Sequence, residues 1–301
     1  MIDHDIHDAS LLPDAAGPPT VLISAAGENA WRYLDPRHTV RGLWRHRELV
    51  WQLAWRELRQ RYQGSLLGLA WTFCTPLLHL AVYTFVFQIV FRARWSDGNG
   101  ESRLKFALAL FCGLVFFSIF SEAVAVAPMV VLQGASFVKK TVFPLEVLPL
   151  VSLVQVLLRA GASLVILLAA ILLLTDMGHW TIVLALLPVV PLVLITLGVS
   201  WFLAALGVFL RDISHAVTIL VQVLFFLTPI VYPISNVPEP YRKLLKINPL
   251  TSLVEMMRGA AMWGRVPNLT WLMLGLLFSL LVFQLGYVFF MKSKHAFADV
   301  M

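Results

Sequence analysis

Apolar residues fall along this chain in long runs separated by short polar or basic joints. Leu66–Phe91 holds 26 residues without Asp, Glu, Lys or Arg, and a hydrocarbon core roughly 30 Å thick needs only about 20 helical residues. Phe106–Leu132 (interrupted by Glu122), Glu146–Leu174 (carrying Arg159), Thr181–Leu210, His215–Ile234 and Leu269–Met291 repeat the pattern. The runs predict an all-α integral membrane protein with six transmembrane helices per subunit. Pro188 and Pro191 predict kinks in the fourth run, because membrane helices tolerate proline where neighbours satisfy the freed carbonyls. Pro229 and Pro233 punctuate the fifth.

The flanking segments divide the chain further. Residues 1–30 carry Asp3, Asp5, Asp8, Asp14 and Glu28 with three prolines, and read as a flexible acidic tail. They lack the basic start and apolar core of a secretory signal, so insertion is expected to rely on the first span. The HDIH cluster could ligate a metal, but short exposed His/Asp clusters are ordinarily solvated, and no metal site is assigned. Residues 31–65 form a basic amphipathic segment, in which Trp51, Trp55, Leu58 and Tyr62 share one helical stripe and Arg56 and Arg59 lie opposite. This describes a helix lying in the interface, either a juxtamembrane anchor or a moving gate. The membrane domain runs over 66–291 and a short tail over 292–301. Between runs five and six, Ser235–Asn268 alternates apolar stretches with charge. That pattern predicts two short helices re-entering the outer leaflet, or a peripheral amphipathic loop.

Composition agrees with several spans rather than one tail anchor. The chain has 301 residues, 59% hydrophobic and 13% charged, where soluble domains carry about 25% charged residues. The net charge of +6 does not point to nucleic acid, since the basic residues flank apolar runs. With both termini in the cytoplasm, thirteen Lys/Arg fall inside and nine outside, including Arg242, Lys243, Lys246, Arg258 and Arg265 in the fifth loop. Cys74 and Cys112 lie inside apolar runs as packing residues.

Candidate chemistry is sparse. Glu122 and Arg159 sit at about 15 and 18 Å from the inner ends of their runs at about 1.5 Å per residue. The matching depths predict an intramembrane ion pair, with a proton relay as the alternative. No GxxxxGK[ST], HExxH or GxSxG occurs, so no nucleotide hydrolysis and no catalytic residue are assigned to this chain. The sequon Asn268-Leu269-Thr270 carries little weight. Tyr83, Phe87 and Phe91 repeat at four-residue steps, and Phe225 and Phe226 are adjacent in the fifth run. These rings could offer stacking surfaces to sugars, or simply pack helices.

RELRQRYQGSLLGLAWTFCTPLLHLAVYTFVF resembles the start of the membrane (permease) subunit of type-2 ABC polysaccharide exporters, the Wzm-type O-antigen exporter group. SFVKKTVFPLEVLPL, FLRDISHAVTILVQVLFFLTPIVYPIS and INPLTSLVEMMRGA follow in the family's order, and the resemblance covers about residues 41–291. It implies a homodimer in the bacterial inner membrane, with a cytoplasmic Wzt-type ABC ATPase supplying ATP and Mg chemistry, no cofactor in this chain, and a lipid-linked polysaccharide as cargo. By the same resemblance, a gate helix carries Trp51, Trp55, Arg56, Arg59 and Tyr62. ATPase docking falls to Ser136, Phe137, Lys139, Lys140, Phe143, Arg211 and Asp212, and the channel lining to Tyr83, Phe87, Phe91, Phe225 and Phe226. The segment around Pro238–Ala261 becomes the outer re-entrant pair. The acidic extension is longer than the family pattern. Exporters of capsule, teichoic acid, drugs or small lipids share these features, and a membrane glycosyl- or phosphotransferase is the rival of another class.

Overall fold

A computed structural model describes residues 35–61, 63–90, 103–134, 143–175 and 179–300, and among these the chain is helical with no strand. Helix α1 (Pro36–Arg45) opens with Pro at its first position and Asp35 capping the Arg37 amide at 2.9 Å. Helix α2 (Arg47–Arg61) follows it. The next joint turns at Gly64 and Gly68, whose φ values of 83° and 50° are left-handed and suit only glycine readily. Helix α3 (Trp71–Tyr83) then runs on into wider π-type turns over Thr84–Val90.

Helices α4 (Arg103–Gln133) and α5 (Val147–Leu174) are long and straight-through apolar segments. The fourth run is built differently from the kinked helix its prolines predict. Trp180–Leu186 forms tight 3-10 turns, and α6 (Val189–Phe209) starts directly after Pro188, with Pro191 in its first turn. There the missing N–H costs nothing, so both prolines begin the helix rather than bend it. Helix α7 (Ile213–Leu227) stops two residues before Pro229. Helices α8 (Glu239–Ile247) and α9 (Pro249–Met262) are short, α10 (Leu269–Ser293) is long, and α11 (Phe297–Val300) is a last turn.

Among the described residues five segments are long and apolar enough to cross a membrane: Gly68–Val86, Leu104–Gln133, Val147–Leu174, Trp180–Phe209 and Leu269–Ala296. Helix α7, at 15 residues, spans only about 22 Å.

Helix α4 is the centre of the bundle, packing on α5, α6, α7 and α9, while α6 and α10 make the closest helix pair. Their approach depends on absent side chains. A Cβ on Gly198 would lie 2.5–2.7 Å from the Val282 and Phe283 backbone, and one on Gly286 would overlap Gly198; a Cβ on Gly207 would strike the Pro128 carbonyl of α4. In lipid there is no hydrophobic gain from joining two apolar helices, so such close backbone contact is a main source of association. Beside this crossing Trp201 is fully buried, its ring centroid 5.1 Å from Phe283 and 5.0 Å from Tyr287, with Nε1 donating to the Glu146 carbonyl at 3.0 Å.

At one end of the bundle, Val50, Leu53 and Ala54 of α2 pack on Val147 and Val151 of α5. Lys294 at the end of α10 pairs with Glu146 at 2.8 Å there. The opposite end holds the Trp180 turns, the chain after α7, and α8–α9, joined by Thr181 donating to the Ala260 carbonyl at 2.8 Å and by Asn248 donating to Thr228 at 3.0 Å.

Gly198→Val and Gly286→Val are therefore expected to lower the melting temperature of the detergent-solubilised chain. Overpacking of about 1–3 kcal/mol corresponds to roughly 2–10 °C. Gly161→Ala, where a Cβ meets nothing within 4 Å, should leave it unchanged or slightly raised. Equal melting of all three variants would remove the close-crossing account.

Candidate functional site

Three helices turn polar residues toward one cavity. On α3 these are Thr72, Thr75, His79 and Tyr83; on α4, Ser118 and Glu122; on α5, Ser152, Gln155, Arg159 and Ser163. Each set follows the three- and four-residue steps that keep a single face of a helix. The cavity encloses about 750 Å³, and Arg61 from the end of α2 also lines it. Because α3 and α5 ascend while α4 descends, the slot runs from Arg61, Trp71 and Val126 at the α2 end to Tyr83 and Phe111 at the other. At its middle Arg159 donates to Glu122 Oε2 through Nη2 at 2.6 Å and through Nε at 3.2 Å. The matched depths in the sequence thus correspond to a bidentate contact on one carboxylate oxygen, which orients the guanidinium plane. Gln155, one turn before Arg159, donates to Glu57 of α2 at 2.5 Å.

A second groove of about 460 Å³ lies on the other side of α4, between it and α7, lined by Phe117, Ser121, Gln222, Phe225 and Phe226. Phe225 meets Phe117 edge-on at 5.7 Å and Phe226 at 5.2 Å, leaving Phe226 exposed. Leu114 and Ser118 line both spaces. Tyr83 therefore belongs to the polar slot with Glu122 and Arg159, while Phe225 and Phe226 belong to the aromatic groove. Within one chain these rings do not meet.

The other residues singled out in the sequence are spread over the α2 end. Trp51 and Trp55 stack at 6.2 Å, and Arg59 lies 5.2 Å over the Trp55 ring. Trp51 and Arg56 face away from the surface that α2 buries on α5. Arg211 and Asp212 are exposed in the turn between α6 and α7, and Phe143 packs on the α2–α5 contact. Tyr62, Phe91, Ser136, Phe137, Lys139, Lys140 and the acidic stretch 1–30 lie outside the described residues, as does the side chain of Phe87.

One charge has a place its sequence position conceals. Arg258, counted above among the outer loop cations, is fully buried in α9. Its Nε donates to the Ala109 carbonyl of α4 at 2.9 Å, Nη1 to the Pro229 carbonyl at 3.0 Å and to Glu255 at 2.5 Å, and Nη2 to the Ile230 carbonyl at 3.1 Å. A Cβ on Gly113 would overlap the guanidinium, so glycine at that point of α4 makes the room. The carbonyls after α7 have no helical donors of their own, and an arginine, which keeps its charge in proteins, supplies them. Glu255, with Trp263, Arg265 and Ser235, also lines a third cavity of about 520 Å³.

Two measurements separate the roles of these charges. Arg258→Leu leaves the Glu255 carboxylate and several carbonyls unpaired, and removing one partner of a buried pair costs about 3–5 kcal/mol; a sharp loss of monodisperse protein is expected. Glu122→Gln and Arg159→Gln should each lower stability. In the double variant the loss should fall short of the sum by about 1 kcal/mol, a coupling that additive melting shifts would rule out.

Comparison with known proteins places this architecture. Residues 48–262 match the ABC-2 type transporter family. The O-antigen export system permease protein RfbA of Myxococcus xanthus is 31% identical over 86% of this chain and 98% of its own length. A Klebsiella pneumoniae protein of the same description is 27% identical over 82% and 92%, and the polysialic acid transport protein KpsM of Escherichia coli 24% identical over 80% and 92%. On the extent of these matches, the chain belongs to the ABC-2 type transporter family, as a multi-pass membrane subunit of a transport system.

Proposed function

We propose that this chain is the membrane subunit of an ATP-driven exporter that carries a lipid-linked polysaccharide, O-antigen first among the candidates, across the bacterial inner membrane. The observation that carries the reading is the near end-to-end similarity to the Myxococcus xanthus O-antigen permease. Similarity to the polysialic acid transport protein makes a capsular glycan the second reading, at lower identity. ATP and Mg belong in this reading to a separate cytoplasmic ATPase of the Wzt type, which agrees with a sequence that has no phosphate-binding GxxxxGK[ST]. The chain itself makes no covalent change in its cargo.

In the working assembly two copies pair, each with six crossings and both termini in the cytoplasm. Helix α7 is the sixth crossing: it starts at the α2 end, and the residues just after it are bonded to Arg258 at the other end. A short helix with a turn completing its path is tolerated where protein surrounds the turn. Helices α8 and α9 are then the outer re-entrant pair. In support, Tyr241, Leu244 and Ile247 leave one apolar face of α8 open, a surface suited to the outer leaflet or to the second copy. Helix α2 is the gate, lying against α5. The residues around Phe143, with Arg211 and Asp212, receive the ATPase. The rings of Tyr83, Phe225 and Phe226 face the cargo path once the second copy is present.

Gentle extraction with crosslinking, followed by mass spectrometry, should recover a P-loop ATPase in a two-plus-two complex. Deleting the gene should leave lipid-linked glycan on the cytoplasmic side. A chain recovered alone under crosslinking would end the exporter reading and revive the transferase. Tyr83→Ala combined with Phe226→Ala should cut export at least several-fold with the complex intact, and wild-type export from that variant would remove the aromatic lining.

A further inference from the structure

We propose that the polar slot between α3, α4 and α5 binds the phosphate headgroup of an anionic membrane lipid drawn from the cytoplasmic leaflet. Glu122 lies about 16 Å along α4 from its inner end at about 1.5 Å per residue, yet 47% of its side chain is exposed although Oε2 is held by Arg159. A half-open carboxylate beside a guanidinium does not rest against hydrocarbon, so the slot holds polar matter.

The wall of the slot is also short of partners. Arg159 Nη1 and Thr72 Oγ1, both buried behind that wall, make no hydrogen bond among the described residues. Arg61 at the inner mouth is exposed, with no ion pair among the described residues. Arg61 and Arg159 against Glu122 give the lining residues a net charge of +1, with Glu57 held behind them by Gln155, and guanidinium matches phosphate through paired N–H donors.

The occupant is a lipid rather than a free ion because of what surrounds the charges. The slot reaches the cytoplasmic end of the bundle at Arg61 and Trp71. The α3 helix that walls it is the most weakly buried of the five spanning segments and carries exposed Leu77, Leu78 and Val82 along its length. A headgroup in the slot can leave its acyl chains on that apolar surface without crossing a protein barrier. The volume of about 750 Å³ lies in the range of small-ligand sites, roughly 300–1,000 Å³. The site stands independently of which glycan, if any, is exported.

The test reconstitutes the full chain in nanodiscs of equal parts phosphatidylglycerol and phosphatidylcholine and counts retained lipids by native mass spectrometry. Wild type should retain phosphatidylglycerol over phosphatidylcholine by about tenfold, in keeping with a charge-assisted contact. Arg159→Gln should abolish that preference. Because this variant also strands Glu122, Ala125→Leu is the companion: Ala125 lines the slot one turn from Glu122, and the larger side chain narrows it there while every charge stays in place. It should lose the retained phosphatidylglycerol and keep the wild-type melting temperature within a few degrees. Equal retention of the two lipids by wild type, or wild-type retention in Ala125→Leu, overturns the proposal. Displacement of the lipid by inorganic phosphate alone would assign the slot to a free anion and equally overturn it.

Discussion

A guanidinium cannot be buried in a helical bundle unless carbonyls or carboxylates are brought to meet it, and Arg258 imposes that condition on this chain. Its partners come from the first two turns of α4, from the residues after α7 and from its own helix. One side chain therefore sets where α7 ends, how α9 leans on α4, and how the α8–α9 end of the bundle closes. The energetic sign comes from incompleteness: a paired buried cation is near neutral against an apolar substitute, whereas a half-paired one is strongly unfavourable. Arg258 thus specifies an arrangement more than it adds stability, and Gly113 is part of the specification because only a missing Cβ leaves the guanidinium its place.

The rest of the bundle follows a complementary rule. Where no charge is involved, helices come together by removing side chains rather than pairing them, as at Gly198, Gly286 and Gly207. The two devices divide the molecule. Spans α4, α6 and α10 form a close-packed block around Trp201, with backbone against backbone. Helices α3 and α7 stand against that block with most of their surface open, the polar slot lying along α3 and the aromatic groove along α7. A transport subunit needs one part that holds its shape and another that moves against lipid, cargo or a second copy. The low-burial helices are where motion costs least.

Long apolar runs announced most of the fold, since a stretch without charge has few other readings at that length. What periodicity could not reveal was the end of a helix under competition. The fifth run is apolar through Ile234, but Pro229 and the demands of Arg258 divert the backbone after Leu227. Likewise Pro188 and Pro191 could equally bend a helix or begin one, and the 3-10 turns before them decide for beginning. Arg258 itself was illegible, because it stands among Arg242, Lys243, Lys246 and Arg265 in a segment rich in charge, and only three-dimensional neighbours distinguish it from them. Glu122 and Arg159 were legible for the opposite reason, being isolated in apolar surroundings. The polar slot was there to be read at 72, 75, 79 and 83 and at 152, 155, 159 and 163. Serine, threonine and glutamine attract little notice when judged singly, and their significance comes from the shared spacing.

The first half of α5 ties these features together. It receives Val50, Leu53 and Ala54 of α2 through Val147 and Val151, and Phe143 packs at the same contact. Gln155 continues the contact by its bond to Glu57, and Arg159 stands one turn further along the same face. A displacement of α2 cannot leave α5 where it is without breaking apolar contacts and a short hydrogen bond, and α5 cannot rotate without changing the geometry at Glu122. Packed helices shift between discrete arrangements rather than deforming continuously. The arrangement therefore joins the surface that would take up force in an exporter to the charged centre of the slot, through one helix and little more than three turns of its length.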